Sequence, residues 1–209
     1  MECESRWRMN YYISDLHLFH KNVTKAGANF DNRPFDDLEQ MHKAIKENWN
    51  NTVTNADHVY ILGDLSWKEN EDAIAFVSTL RGVKHLILGN HDRCKDQRYR
   101  QLFTEIVNYK EIKDRVNGKE YHLVLSHFPI MFWDHQHQLR RDGDKQSVWA
   151  IQLYGHVHNS YEQTIFQDYI SKLNNEYNIK CAAYNVGCMM PYMDYTPRTL
   201  AEILTEVSV

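Results

Sequence analysis

Five runs of apolar, β-favouring residues in this chain each end in a short segment that carries Asp, Asn or His. The segments are Asp15-Leu16-His17, Gly63-Asp64, Gly89-Asn90-His91-Asp92, Ser126-His127 and Gly155-His156-Val157-His158. Because successive side chains of an extended strand alternate between faces, Asp15 and His17 are expected to point into the same crevice. The same spacing recurs at His156 and His158. These strand ends therefore predict one polar crevice rather than a scatter of surface residues.

The order of apolar patterns predicts the fold class. Strands are expected at 11–14, 58–62, 85–88, 121–126, 151–154 and 183–186. Helices are expected at 35–53, with Leu38, Met41, Ile45 and Trp49 on one face, and at 70–80. An order of strand, helix, strand, helix and strand is typical of an α/β protein whose first sheet is substantially parallel.

The pattern changes after residue 104. Strand-like residues 106–113 and 121–125 flank Asn117-Gly118, a pair that favours a tight hairpin turn. We therefore expect a second sheet packed on the first. Near the end of the chain, Thr196 is expected to cap a helix over residues 197–207, with Pro197 at its first position.

Length and charge limit the classes of function. A chain of 209 residues can bury about 70% of its unfolded surface, so we expect one domain over 1–209, with 1–8 as a loose tail. The net charge of −4 gives no broad basic surface, so binding of extended nucleic acid is not expected. A nucleic acid remains a candidate only as a locally held substrate.

Cysteine usage and hydropathy indicate a cytoplasmic protein. The four cysteines form no C-x-x-C pair and no regular framework, which favours reduced thiols: Cys3, Cys94, Cys181 and Cys188. The first ten residues carry Glu2, Glu4, Arg6 and Arg8 and no apolar core of a signal peptide. No apolar run approaches the length of about 18 residues that spans a membrane. We therefore expect neither export nor membrane association.

Taken in chain order, the five segments resemble the calcineurin-like metallophosphoesterase family. The family pattern runs Asp-x-His, Gly-Asp, Gly-Asn-His-Asp/Glu, a later His and then Gly-His-x-His. Every element is matched in order from residue 15 to residue 158. The resemblance implies two mixed β-sheets packed face to face with helices on the outside, a four-layer αββα fold.

The resemblance also implies a two-metal centre. Asp15, His17 and His158 would hold one cation. Asn90, His127 and His156 would hold the second. Asp64 would bridge the two, and His91 looks like the family's catalytic histidine.

The chemistry of these side chains agrees with that implication. A set of oxygen and nitrogen ligands without cysteine suits Mn, Fe, Zn, Co or Ni, and the sequence does not choose among them. Two cations about 3.5–4 Å apart can hold a bridging hydroxide that attacks phosphorus. Two dications set against Asp15, Asp64 and one hydroxide leave net positive charge, which would attract a phosphate ester anion.

Several roles stay open between alternatives. His91 could contact the transferred phosphoryl oxygen, beside Asn90, or protonate the leaving group as a general acid. Asp92 could orient His91 or cap the segment that follows it. Arg33 could bind a phosphate in bidentate fashion or form a surface ion pair. The segment 132–149, between two ligand segments, could be a lid that sets specificity or a solvated loop.

We therefore expect a cytoplasmic two-metal enzyme that hydrolyses a phosphate monoester or diester. A nucleotide or nucleic-acid phosphodiesterase and a small-molecule phosphomonoesterase both fit. The rival from another class is a binding or scaffold module on the same fold, with weak or no activity. Retention of all the ligand positions and of His91 favours the enzyme. The substrate, the metal and the oligomeric state are not determined by the sequence.

Overall fold

The computed structural model describes residues 8–25, 27, 31–142 and 145–206. Within them the strands are β1 (Asn10–Ile13), β2 (His58–Leu62), β3 (Val83–Ile87), β4 (Glu105–Val107), β5 (Tyr109–Val116), β6 (Lys119–Ser126), β7 (Leu139–Asp142), β8 (Lys145–Val148), β9 (Ala150–Tyr154), β10 (Ala182–Asn185) and β11 (Arg198–Thr199). The helices are α1 (Leu38–Thr52), α2 (Glu71–Ser78), α3 (Gln97–Arg100), α4 (Tyr161–Asn175) and α5 (Leu200–Glu206). The expected loose tail over 1–8 lies, apart from Arg8, outside the described residues.

The first sheet has the strand order β11-β1-β2-β3-β4. Strands β1 to β4 run parallel to one another, and β11 pairs antiparallel with β1. Helix α1 connects β1 to β2, and α2 connects β2 to β3. The α/β class and the parallel first sheet predicted from the sequence are therefore confirmed.

Helix α1 forms where the apolar spacing predicts it. Met41, Ile45 and Trp49 recur every four residues, and all three are buried. The side chain of Asp37 accepts a hydrogen bond from the Gln40 N–H at 2.8 Å and so caps the helix. The indole N–H of Trp49 donates to the Arg81 carbonyl at 2.8 Å, so the buried ring keeps a polar partner.

The predicted hairpin is also confirmed. Asn117 and Gly118 both have positive φ, 50° and 78°, as the two central residues of a two-residue hairpin turn require. Val116 pairs with Lys119 on either side of them. Strands β5 and β6 then join β9 and β10 in a second sheet of order β10-β9-β6-β5, in which β6, β9 and β10 are parallel.

The two sheets face each other across one apolar core. Leu123 and Leu125 of β6 belong to the same buried cluster as Ile13, Ile61 and Leu86 of the first sheet. A second cluster lies on the other face of the second sheet, where Val124 packs with Phe166 and Ile170 of α4. The sequence analysis did not predict α4, the helix that covers this face.

The prediction for the final helix is wrong at its start. Residues 198–199 form β11, which pairs with β1, and α5 begins only at Leu200. The cap is Thr199 rather than Thr196. The Thr199 Oγ1 accepts from the Glu202 N–H at 3.3 Å, and the Glu202 carboxylate accepts from the Thr199 N–H at 2.7 Å. This reciprocal pair is a capping box, and it sets the helix start at Leu200, three residues beyond Pro197.

Candidate metal centre

The five segments singled out in the sequence meet at the carboxyl ends of the two sheets. They follow β1, β2, β3, β6 and β9. Backbone hydrogen bonds tie them together: Asp15 N–H to Gly63 O at 3.0 Å, His17 N–H to Asp64 O at 2.9 Å, and Gly155 N–H to His127 O at 2.9 Å. The crevice predicted from the strand ends is therefore present at this edge.

A first group of possible ligands contains Asp15, His17 and His158. One donor atom from each lies within 4.8 Å of the others. The Nε2 atoms of His17 and His158 are 3.1 Å apart, and His158 Nε2 lies 3.5 Å from Asp15 Oδ1. Asp15 and His17 are buried, so their polar atoms face one another rather than bulk water.

A second group contains Asp64, His127 and His156, again with one donor atom of each within 4.8 Å of the others. Asn90 adds an amide oxygen, because its Oδ1 lies 3.0 Å from His127 Nε2. The other nitrogen of His127, Nδ1, lies 2.8 Å from the Leu62 carbonyl oxygen. A proton on Nδ1 would leave Nε2 with a lone pair facing Asp64 and Asn90.

One oxygen of Asp64 lies between the two groups. Asp64 Oδ2 is 3.7 Å from His17 Nε2, in the first group, and 3.5 Å from His127 Nε2, in the second. The other oxygen, Oδ1, accepts from the His91 N–H at 2.9 Å. A carboxylate placed in this way fits a bridge between two divalent cations, and the oxygen and nitrogen donors around it suit such ions.

The backbone at these residues is left-handed rather than extended. The φ angles are 56° at Asp15, 46° at His17, 52° at Asp64, 69° at His156 and 50° at His158. Non-glycine residues seldom adopt this region, and such strain is concentrated at functional sites. Asp15 and His17 do share a group, but β1 ends before them at Ile13. Strand alternation is therefore not the cause of their convergence; the tight turns are.

Two glycines allow the carboxylates to enter the crevice. A Cβ atom at Gly89 would lie 2.2 Å from Asp64 Oδ1, and one at Gly155 would lie 2.3 Å from Asp15 Oδ2. Both distances are far below van der Waals contact. Any larger side chain at Gly89 or Gly155 would displace a carboxylate from its ligand group.

The ionisable groups of the crevice are strongly coupled. Burial would raise the pKa of Asp15 and of Asp64, but histidine partners hold both pKa values below the usual range. Burial lowers the pKa of His17 to about 2, aided by the Arg33 charge. Burial would also lower the pKa of His158, but hydrogen bonds with Asp15 and Asp31 raise it to about 9. Ionised carboxylates thus give the crevice the negative charge that divalent cations need.

Asp92 makes contacts that differ from both predicted roles. Its carboxylate accepts from the backbone N–H groups of Asp64 at 2.7 Å, Gly89 at 2.9 Å and Leu65 at 3.1 Å. The cap of the next helix, α3, is Asp96. Asp92 therefore fixes the turn that carries Asp64, rather than orienting the His91 ring or capping a helix. Burial raises its pKa to about 6.

Arg33 also differs from its prediction, because it is buried at 3% exposure and its donors are used within the protein. It donates to the carbonyls of Asp15 and Leu16 at 2.7 and 2.8 Å, to the Asp31 carboxylate through two nitrogens, and to the Met41 sulfur. These bonds account for the five N–H groups of a guanidinium. Arg33 thus holds the Asp15 turn and is neither a phosphate ligand nor a surface ion pair.

Asp31 is a site residue that the sequence analysis missed. Its Oδ2 accepts from Arg33, while its Oδ1 contacts His158 Nδ1 in a short hydrogen bond. A carboxylate on the outer nitrogen of a ligand histidine fixes the ring and directs its other nitrogen toward a metal. Asp31 and His158 are 127 residues apart, so no local pattern signals their contact.

We expect Asp31→Asn to weaken cation binding at the His158 group by about 10- to 100-fold, the usual effect of losing such a partner. The asparagine keeps the shape but removes the charge that pairs with Arg33 and His158. Metal titration of the purified variant checks this. Asp36→Asn, an exposed carboxylate of the same segment, is the matched control. Unchanged affinity in Asp31→Asn would reduce the Asp31 contact to a packing role.

His91 lies beside the two groups without belonging to either. Its Nε2 is 3.9 Å from Asp64 Oδ2, and 37% of its side chain is exposed. The ring packs on His17 with centroids 5.6 Å apart and on Trp67 with centroids 4.9 Å apart. A half-exposed imidazole at the mouth of the crevice can reach a bound substrate.

The described part of the segment 132–149, which comprises 132–142 and 145–149, contacts the second sheet, where Trp133 packs with Val124. Strands β7 and β8 pair as a hairpin, and Arg140 stacks over the Tyr121 ring at 4.7 Å, near the start of β6. A further group of possible ligands, His122, Asp134 and His135, lies in this region. The contacts do not support the lid interpretation. The cavity of about 610 Å³ beside His158 is lined from other segments, including Asn32, Ser160 and Met189.

Comparison with known proteins identifies the family. The family model of calcineurin-like phosphoesterases matches residues 11–187, and the chain belongs to this family. The resemblance drawn from the motif order is therefore confirmed. The family consists generally of metal-dependent phosphoesterases. Within the described residues, no helix is both long enough and apolar enough to cross a membrane.

The relatives include proteins of archaeal and viral origin. An uncharacterised protein of Methanocaldococcus jannaschii is 35% identical over 156 residues, covering 74% of this chain and 72% of the relative. The Gene 66 protein of Mycobacterium phage D29 is 31% identical over 173 residues, covering 71% of this chain and 78% of the relative. A solved structure of a protein of unknown function from Aquifex aeolicus has a TM-score of 0.63 at 24% identity, covering 96% of this chain and 100% of that one. At that identity the likeness supports the fold alone.

Proposed function

We propose that this protein is a two-metal phosphoesterase that hydrolyses a phosphate monoester or diester. The observation that carries the proposal is Asp64 Oδ2, which lies within 4 Å of a histidine nitrogen from each ligand group. In this assignment Asp15, His17 and His158 hold one cation. Asn90, His127 and His156 hold the other, and Asp64 serves both.

Bound divalent cations would supply Lewis acidity and a hydroxide at neutral pH for attack on phosphorus. The protein's own residues do the rest. Asp92 and Gly89 fix the turn that presents Asp64. Asn90, at the exposed rim of the second group, and His91 are placed to contact the phosphoryl oxygens, and His91 is placed to give a proton to the leaving alkoxide.

The cavity beside the site suggests the scale of the substrate. Its volume of about 610 Å³ suits a small molecule, and its lining includes Asn32, Asn159, Ser160 and Glu162. Together with the net charge of −4, this favours a compact phosphate ester over an extended nucleic acid. The retained ligand set and the accessible His91 favour hydrolysis over a purely binding or scaffold role.

The setting of the enzyme is also part of the proposal. We place the protein in the cytoplasm, because Cys94, Cys181 and Cys188 are free thiols buried in its interior. We propose a single domain, because strands of both sheets contribute to one apolar core. Mn, Fe, Zn, Co and Ni all suit the donor set, and which of them serves in the cell is for metal analysis to establish.

Metal content and turnover measured on one preparation test this proposal. We expect two cations per chain after loading with each candidate metal, and hydrolysis of 4-nitrophenyl phosphate or bis(4-nitrophenyl) phosphate. His135→Ala serves as a control, because it removes the separate group near β6 as a source of extra metal. At most one cation per chain would overturn the two-metal assignment. Two bound cations without turnover of either ester would favour the binding module.

A further inference from the structure

A large aromatic side chain stands exposed next to the candidate centre. Trp67 is 47% exposed, although tryptophan usually buries most of its surface. Its ring lies 4.9 Å from the His91 ring and 4.3 Å from the His20 ring, centroid to centroid. Trp67 therefore has histidine neighbours within the protein and a large part of its surface open to solvent.

His91 lies between the Trp67 ring and the candidate metal ligands. The His91 ring packs on His17 of the first ligand group, and its Nε2 is 3.9 Å from Asp64 Oδ2. Under the proposed function, His91 faces the leaving group of the ester. A leaving group that extends past His91 would next meet Trp67.

The backbone that carries Trp67 is also fixed before any ligand binds. The backbone N–H of Trp67 donates to the Leu18 carbonyl at 2.9 Å, and the preceding residue, Ser66, is in a β-bridge with Leu18. The Ser66 hydroxyl in turn donates to the Lys68 carbonyl at 2.7 Å. A ring that packs on His20 and His91 and stands on a fixed backbone loses little conformational freedom when a planar group stacks on it.

We propose that Trp67 is a stacking subsite for the leaving group of the substrate, and that this leaving group is a nucleoside. Every nucleobase is planar and can stack on tryptophan. A ribose hydroxyl of the nucleoside would provide the ester oxygen next to His91. The inference rests on the proposed hydrolase function and adds to it the class of the alcohol that departs.

Phe128 is a second exposed aromatic side chain beside the centre, and its contacts suit a stacking subsite less. It is 46% exposed, but its ring packs edge-on against His127 and His156, with interplanar angles of 77° and 61°. Both of these histidines are candidate ligands of the second cation. Phe128 therefore supports ligand rings, whereas Trp67 adjoins the ring that faces the leaving group. This difference makes Phe128 the matched comparison.

The first measurement uses adenosine and ribose, two alcohols that differ in the base, so that binding is measured without hydrolysis. Metal-loaded protein with saturating orthophosphate is titrated with adenosine and, separately, with ribose, and binding is followed by ligand-observed NMR. We expect adenosine to bind and ribose to bind at least about 10-fold more weakly, since base stacking on an aromatic ring contributes that much. Trp67→Ala should remove the preference, Trp67→Phe should keep most of it, and Phe128→Ala should keep it.

The second measurement is kinetic. We expect the ratio of KM values for ribose 5-phosphate and adenosine 5′-phosphate to fall by about 10-fold in Trp67→Ala. Equal binding of adenosine and ribose by the wild type, or an unchanged preference in Trp67→Ala, would overturn the subsite. A preference lost in Phe128→Ala instead would move the subsite there and overturn the assignment to Trp67.

Failure of the proposed function gives a different result from failure of the subsite. One outcome would be a protein that binds two cations and prefers adenosine, loses this preference in Trp67→Ala, and hydrolyses no ester. That result would support the subsite and contradict the hydrolase function. The opposite outcome would be a protein that hydrolyses nitrophenyl esters but does not prefer adenosine over ribose. That result would support the hydrolase function and contradict the subsite.

Discussion

Replacing His91 with alanine is expected to lower turnover by about 10²- to 10⁴-fold, the usual contribution of a positioned acid or base. Both cations should remain bound, because His91 belongs to neither ligand group. Its side chain is 37% exposed, whereas those of His17 and His127 are 2% or less exposed. Turnover and metal content of the variant, measured on the same sample, check this result.

The dependence on the leaving group separates two roles for His91. A general acid matters most when the departing alkoxide is basic, so alkyl esters should lose more turnover than nitrophenyl esters in His91→Ala. Equal losses on both esters would make His91 a phosphoryl contact instead of an acid. Wild-type turnover in the metal-replete variant would remove it from the mechanism.

The parts of the fold that the sequence predicted are those encoded by local patterns. The spacing of Met41, Ile45 and Trp49 gives α1, and Asn117-Gly118 gives the β5–β6 hairpin. Helix α4 was missed although its local pattern is present. Phe166, Ile170 and Leu173 recur at helical spacing, and Ser160 caps the helix. The start of α5 was misplaced because pairing of β11 with β1, a contact across the whole chain, overrides the Thr196-Pro197 signal.

The candidate ligands could be found from the sequence because each lies at the end of a strand and the order of the segments matches a known family. The roles of their supporting residues could not be predicted, although Arg33 and Asp92 were singled out as candidates. Arg33, Asp31 and Asp92 act through contacts between segments 17 to 127 residues apart, and their sequence environments resemble those of surface residues. Burial decides their roles, and burial depends on how the turns pack. The outer contacts of a site therefore require the structure.

Replacing Asp64 with asparagine should weaken both cation sites together, because one oxygen of Asp64 lies between the two ligand groups. We expect the loss of affinity to exceed about 100-fold, the upper end of the effect of removing an outer partner of a ligand. The amide keeps the volume but removes a negative charge that the histidine partners now hold ionised, as the lowered pKa of Asp64 indicates. Turnover should fall with the cations.

Asp15→Asn is the matched control for this substitution, since both carboxylates are buried and Asp64, unlike Asp15, lies within 4 Å of a histidine ring nitrogen from each group. Elemental analysis at increasing metal concentration should show one cation retained in Asp15→Asn and neither retained in Asp64→Asn. Thermal unfolding with and without metal gives a second measure, because a cation that binds only the folded protein raises its stability. If Asp64→Asn kept one tightly bound cation, Asp64 would be a ligand of a single metal, and the two sites would be joined by another group.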